Sequence, residues 1–295
     1  MVARSAVALS LLALACVAAA APGQNRDPVF RAGIEQVRVD ASVRRGSHPV
    51  AGLTAAQFEV RDNGVVHDVE RVLQEEVPLR LLLVLDSSNS LVGAPLRALV
   101  AAAQSLVRSL RPDDEVGLVT FSQALHLAVA PTLRHDDITN ALGRLQADGD
   151  TAWRDALFVG LQLAGAPAER RPLVLLFTDG DDNASWMDAP EISDVVRRSG
   201  VVVHAVGLTA RNARGVMTRS LSLSLEAGGG RFWSADDPAQ VGERFAEVLR
   251  EMRARYLLFY TPKGAPAPGW HDVTVRLRGA RGEVRARPGY FVAGR

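Results

Sequence analysis

The stretch LLLVLDSSNS, Leu81–Ser90, joins five aliphatic residues to a carboxylate, an amide and three hydroxyls. An unbroken apolar run of this kind suits a strand buried on both faces, and such strands belong to mostly parallel sheets covered by helices. Its polar end is either a loop that begins there or a binding site at the carboxyl edge of a sheet, where open α/β folds hold their ligands.

Working outward, EVGLVTF, PLVLLFTDG and VVVHAVGL repeat the short β-rich aliphatic texture. The segments between them are helical. In PLRALVAAAQSLVRSL the residues Leu96, Leu99, Val100, Ala103, Val107 and Leu110 follow the spacing of one helix face, and Arg111-Pro112 stops it. Asp136 or Asp137 is expected to cap the following helix, and Gly165 and Gly200 to end later ones. HLAVAP reads as an antiparallel edge strand. Strand–helix alternation predicts a doubly wound, mostly parallel α/β domain over residues 79–253.

The flanks differ. Residues 28–78 and 254–295 alternate apolar and polar positions, as half-buried strands do. Asn63-Gly64 sits between two such runs, a strong hairpin signal because both central turn residues need positive φ. Small pieces of this size are marginal alone, so the two flanks are expected to pair into one small sheet or sandwich.

The 295 residues carry a formal charge of +1 and no block of like charges, which argues against a nucleic-acid partner. Residues 1–21 have one early Arg4, an apolar run and small residues at Ala18-Ala19-Ala20, the layout of a secretory signal peptide. An uncleaved anchor helix is the alternative, and nothing else is long enough to span a membrane. Secreted or periplasmic location follows. Cys16, the single cysteine, lies in this leader, so a mature chain has no disulfide. ALAC also allows acylation of Cys16, although Ala13 stands where such signals usually have Leu.

Three polar segments are placed to converge at the sheet edge: DSSNS, GDTAWRDAL and TDGDDN. Asp86, Ser88 and Ser90 alternate toward one side of an extended loop. Thr151 adds a hydroxyl and Asp179 a second carboxylate. Oxygen ligands of this kind suit a hard divalent cation such as Mg²⁺, with Mn²⁺ or Ca²⁺ as substitutes. A cation held mostly by neutral hydroxyls stays electron-poor and gains strongly from one more carboxylate, supplied by a partner.

On these residues the segment 79–253 resembles the von Willebrand factor A domains and their metal-ion-dependent adhesion site. The resemblance implies a Rossmann-like fold and metal ligation by Asp86, Ser88, Ser90, Thr151 and Asp179. Asp155, four residues after Thr151 on the same helix face, is expected to support the ligands from behind. VAGLTAAQFEVRDNGV and YLLFYTP…WHDVTVRLRG…VRARPGYFV resemble a subfamily of secreted bacterial A-domain proteins, which adds architecture and export rather than mechanism.

Other readings are weaker. DGDDNAS lacks the Gly and the bidentate Glu of an EF-hand loop, having Ala184 and Pro190 there. Asp181 and Asp182 then read as solvated loop charges or a rim. AGGGR has no following Gly-Lys-Ser/Thr and is no phosphate loop. His204, in an aliphatic strand, reads as a hydrogen-bonded core residue, and no His lies near the serines to build a Ser-His-Asp triad. Arg154 and Arg170-Arg171 read as surface charge. Trp153 and Trp186 flank the ligand segments and could form a recognition surface or simply pack over the loop.

The expected function is non-enzymatic: capture of a protein partner whose Asp or Glu completes the cation's coordination, with no small-molecule substrate. Two alternatives remain. The chain is a structural component of an envelope assembly whose metal only stabilises loops, or a metal-dependent hydrolase, which lacks a candidate general base or covalent nucleophile.

Overall fold

The computed structural model describes residues 36–46, 48–74, 77–165, 169–208, 216–264 and 267–292. The expected leader, residues 1–21 with Cys16, lies outside them. Among the described residues no helix is long and apolar enough to cross a membrane.

Five strands come first: β1 (Val37–Arg45), β2 (His48–Pro49), β3 (Phe58–Asp62), β4 (Val65–Asp68) and β5 (Arg71–Leu73). The central segment runs β6 (Leu79–Asp86), α1 (Ala94–Arg108), β7 (Glu115–Phe121), β8 (Leu125–Thr132), α2 (His135–Leu142), α3 (Trp153–Ala164), β9 (Arg171–Thr178), α4 (Ala189–Ser199), β10 (Val202–Leu208), α5 (Val216–Ala227), β11 (Phe232–Ala235) and α6 (Val241–Ala254). Four strands close the chain: β12 (Tyr256–Tyr260), β13 (Gly269–Leu277), β14 (Glu283–Ala286) and β15 (Gly289–Val292).

The central strands form one six-stranded sheet in the order β11-β10-β9-β6-β7-β8. β6 pairs in parallel with β7 and β9, and β10 with β9 and β11. β8 runs antiparallel to β7, so the sheet is mixed. The alternation of side chains along β6 explains its unbroken apolar run. Leu81, Leu83 and Leu85 pack with Leu99 of α1 and Phe245 and Val248 of α6. Leu82 and Val84 pack with Leu157 and Leu161 of α3 and Ile192 of α4. Each such side chain, fully buried, contributes about 1.5–3 kcal/mol. Gly160 lets α3 lie directly on β6, because a Cβ there would stand 2.6 Å from Cγ2 of Val84.

The flanking strands build two further sheets, β14-β1-β12-β5 with β2 on β1, and β15-β13-β3-β4. β1 pairs antiparallel with β12, Val37 opposite Tyr260 and Ala41 opposite Tyr256. β3 pairs with β13, Phe58 opposite Leu277. Val39, Val60, Leu258 and Val275 share the core between these sheets. Asn63 and Gly64 have φ of 46° and 82° and turn β3 into β4. Asp62 is buried beside this turn and accepts hydrogen bonds from the hydroxyls of Tyr260 (2.8 Å) and Tyr290 (2.7 Å), while Nδ1 of His271 lies 2.8 Å from its other oxygen.

Charged groups tie these strands to the α/β layer. Arg171, read from sequence as surface charge, is 3% exposed. Its Nη1 donates to the carbonyl of Met252 at 2.6 Å, and its Nε faces Asp40 of β1 at 3.0 Å. Asp40 also pairs with Arg255. The start of β9 is buried where Asp40 of β1 and Met252 of α6 meet Arg171, which no local pattern around Arg170-Arg171 reveals. A second difference concerns α2: Arg134 occupies its N-cap position, and Asp136 and Asp137 lie in the first turn, where their charge still favours the helix dipole.

Candidate metal centre

Asp86 is the last residue of β6, and Thr178 the last of β9. Leu85 pairs with Phe177, so the next residue of each strand emerges side by side at the carboxyl edge. The Thr178 hydroxyl donates to Oδ2 of Asp86 at 2.8 Å, and the Ser88 backbone N–H donates to Oδ1 at 2.8 Å. Ser88 and Ser90 join hydroxyl to hydroxyl at 2.9 Å, and Ser90 donates to Oδ1 of Asp179 at 2.8 Å. One hydrogen-bonded chain therefore links Asp86, Ser88, Ser90 and Asp179, residues up to 93 positions apart.

Thr151 reaches the same edge from the loop before α3. Its Oγ1 lies 4.0 Å from where a Cβ on Gly180, next to Asp179, would stand. Backbone bonds hold the three segments together. Asn89 N–H donates to the Gly149 carbonyl (3.0 Å) and Asp148 N–H to the Ser87 carbonyl (2.8 Å). The Asn183 and Ala184 N–H groups donate to the Thr151 carbonyl at 3.0 and 3.1 Å, and Oδ1 of Asn183 accepts from Thr151 N–H at 2.8 Å.

Asp155, in the first turn of α3, accepts the backbone N–H groups of Trp186 (2.9 Å) and Met187 (3.0 Å). It fastens the loop that begins at Asp179. Asp182 does related work from the other side, correcting its reading as a solvated charge. It accepts from Arg154 N–H at 2.9 Å, pairs with the Arg154 guanidinium at 3.0 Å, and binds Ser185. Its side chain is 3% exposed, and Arg154 is its counter-ion rather than ordinary surface charge. The two tryptophans separate. Trp153 is 2% exposed in the core, while Trp186 is 96% exposed on the rim. His204 is fully buried and accepts from Nε1 of Trp233 at 3.2 Å.

Sequence reasoning missed Thr178 and Asn183, and named Asp182 only as a loop charge or a rim. Thr178 was detectable, because a hydroxyl level with Asp86 on the adjacent strand is the natural partner for its second oxygen. Asn183 and Asp182 act through a loop path that periodicity does not describe.

The electrostatics fit a cation. Burial pushes the Asp86 carboxyl up to about 6 against the hydrogen bonds from Ser88 and Thr178, and the charge of Asp179 adds to the rise. Burial raises Asp179 as well, against its bond from Ser90. Among the described residues no basic side chain is a hydrogen-bond or ion-pair partner of either carboxylate. Among the described residues no group of three His, Cys, Asp or Glu side chains gathers to hold a metal. The donor set at this edge is two carboxylates and three hydroxyls, all hard oxygen.

Residues 81–181 match a family model described as von Willebrand factor type A domain. An uncharacterized protein of Synechocystis sp. is 27% identical over 228 residues, 71% of this chain and 53% of that protein. The chain spans about half the length of the curated relatives it matches. Among solved structures, a von Willebrand factor type A protein from Catenulispora acidiphila superposes with a TM-score of 0.53 at 14% identity, covering 81% of this chain and 74% of that one. Proximal thread matrix protein 1 from the mussel byssus gives 0.52 at 18% identity, over 60% and 48% of the two chains.

Proposed function

We propose, from the premise that residues 81–181 form a von Willebrand factor type A domain, that this chain is an exported, non-enzymatic protein that captures a protein partner through a divalent cation. The A domain is a protein-interaction module. The observation that carries the reading is the chain Asp86–Ser88–Ser90–Asp179, two carboxylates without a basic partner joined by hydroxyls at the sheet edge. Asp86, Ser88, Ser90, Thr151 and Asp179 would hold Mg²⁺ or Mn²⁺, and the bound ion would supply an electron-poor site for an acidic side chain. Asp155 and Asp182 keep the 179–187 loop in place, and Thr178 fixes the orientation of Asp86. Trp186, exposed on that same loop, offers apolar contact beside the ion. In line with this, the mussel protein has been solved with zinc in its MIDAS motif. Residues 79–253 are the binding unit in this reading, the flanking strands its support, and residues 1–21 the export signal.

The test is a pull-down from envelope and secreted fractions with wild type in Mg²⁺ and Mn²⁺, wild type with chelator, and Asp86→Ala. A partner recovered only by wild type with metal is the expected result. Recovery that ignores both chelator and mutation would overturn capture through the ion.

A further inference from the structure

A cavity of about 250 Å³ lies at the opposite end of the parallel strands, between the α/β layer and the flanking sheets. Its walls are the first residues of β9 and β10, the end of α4, and segments of β1, β12 and β15. Arg38, Arg170, Arg171, Arg198 and Arg287 line it, against the single carboxylate of Asp40. Arg170 is paired with Glu115 and Arg198 with Asp194. Asp40 is shared by Arg171 and Arg255. Arg171, Arg255 and Arg287 thus gather around Asp40, with Glu251 3.6 Å from Nη1 of Arg255.

Donors on Arg171, Arg287 and Arg255 are buried and unfilled. Arg171 is 3% exposed, and its Nη2 is buried without an acceptor. The same holds for Nε of Arg287 and Nη2 of Arg255. Burial lowers the Arg171 and Arg287 pKa values, and neighbouring guanidiniums add to the drop, as expected of like charges out of water. The backbone brings Arg287 here on purpose of shape: a Cβ on Gly229 would meet the Arg287 nitrogen at 2.8 Å, and one on Gly200 its Nη1 at 2.9 Å. Buried positive charge with unfilled N–H forks is stabilised when an oxyanion shares it.

We propose that this cavity binds a small oxyanion, a phosphate or a small phosphomonoester, held by Arg171, Arg287 and Arg38. The volume is below the roughly 300–1,000 Å³ of sites for drug-sized ligands, which fits a compact anion. Tyr290, Phe291 and Leu257 add an apolar wall for a short organic body. The site lies at the far end of the strands from Asp86, so the two readings stand apart.

The experiment is thermal unfolding and titration calorimetry of the purified chain. The probes are inorganic phosphate and glycerol phosphate, with sodium chloride of matched ionic strength as control. The expected result is saturable binding and a rise in Tm beyond the chloride control. Arg287→Gln should weaken phosphate by about tenfold or more and leave Tm in chloride unchanged or higher, because it relieves repulsion. Arg38→Gln should weaken binding while retaining the fold. Asp86→Ala should bind phosphate as wild type does. A phosphate effect equal to that of chloride, or undiminished in both arginine variants, would overturn the proposal. Tighter binding of glycerol phosphate than of phosphate assigns the ligand to the organic monoesters, and the reverse order assigns it to the free ion.

Discussion

Both carboxylate oxygens of Asp155 are filled by consecutive backbone N–H groups, those of Trp186 at 2.9 Å and Met187 at 3.0 Å. A helix residue thereby dictates the path of a loop thirty positions later, and with it the placement of Asp179 and the exposure of Trp186. Asp155→Ala should weaken Mn²⁺ binding by roughly 10–100-fold while the chain stays folded. Calorimetric titration with Mn²⁺ and hydrogen exchange at residues 184–187 check this; unchanged affinity with a loosened loop would separate the loop from the ion.

Removing Asp86 itself has a different signature. Two carboxylates share a buried edge without a basic partner, so the metal-free chain should tolerate Asp86→Asn with a stability change within about 1 kcal/mol. Mg²⁺ should raise the Tm of the wild type, and that rise should vanish in the variant. Unfolding scans with Mg²⁺ and with chelator measure both.

Gly160 sets the distance between α3 and β6. Gly160→Ala would press a methyl against Val84, now 2.6 Å from that position, and should cost about 1–3 kcal/mol of stability. The shift should also displace Thr151 at the head of the helix, so Mg²⁺ affinity should fall with stability. Urea unfolding and metal titration of the same variant read the two effects.

His204 gives stability a pH dependence with a definite sign. Burial holds its pKa down to about 4, against the pull of Glu251. The unfolded chain takes up a proton near pH 6.5 that the folded chain refuses until about pH 4, so stability falls as pH drops through that window. A difference of that size is worth roughly 3 kcal/mol. Asp40, Asp62 and Glu251 are held below their ordinary values, despite burial, mainly by Arg255, by the Tyr290, His271 and Tyr260 hydrogen bonds, and by His204 and Arg255 respectively, so their losses extend to lower pH. The raised Asp86 carboxyl adds stability as pH falls below about 6, the opposite sign. The His204 share is therefore read as the difference between wild type and His204→Gln in urea unfolding at pH 7, 5.5 and 4.5, and the wild type should lose ground to the variant as pH falls.

Trp186 should matter to capture alone. At 96% exposure, Trp186→Ala should change stability by less than about 0.5 kcal/mol and weaken partner capture by about 2 kcal/mol. Equal capture by the variant would remove the tryptophan from the docking surface.

The parts of this molecule that follow period and punctuation could be read before any coordinates. The apolar run of β6 announced burial on two faces, Asn63-Gly64 announced a hairpin with two positive φ values, and Gly165 and Gly200 marked helix ends. The cluster at the sheet edge was legible because it rests on strand termini, whose positions a repeating pattern fixes. The chain was blind where a side chain answers to a distant element. Arg171 looks like surface charge until Asp40 of β1 and Met252 of α6 meet it. Asp182 looks solvated until Arg154 reaches it. Trp153 and Trp186 occupy similar contexts in the sequence, yet one faces the core and the other water, because the α3 register and the loop path decide between them.

The pairing of β1 with β12 carries a consequence for how the chain is made. Val37 and Tyr260 are neighbours in one ladder, yet more than two hundred residues are synthesised between them. Long loops close slowly even where closure is thermodynamically tolerable. The α/β layer can gather as it emerges, from contacts local to it, whereas β1 must wait for β12 and β14 to be made before it can pair with them. A message cut short before Tyr256 would yield a chain with an unpaired strand edge, open to pairing with another copy.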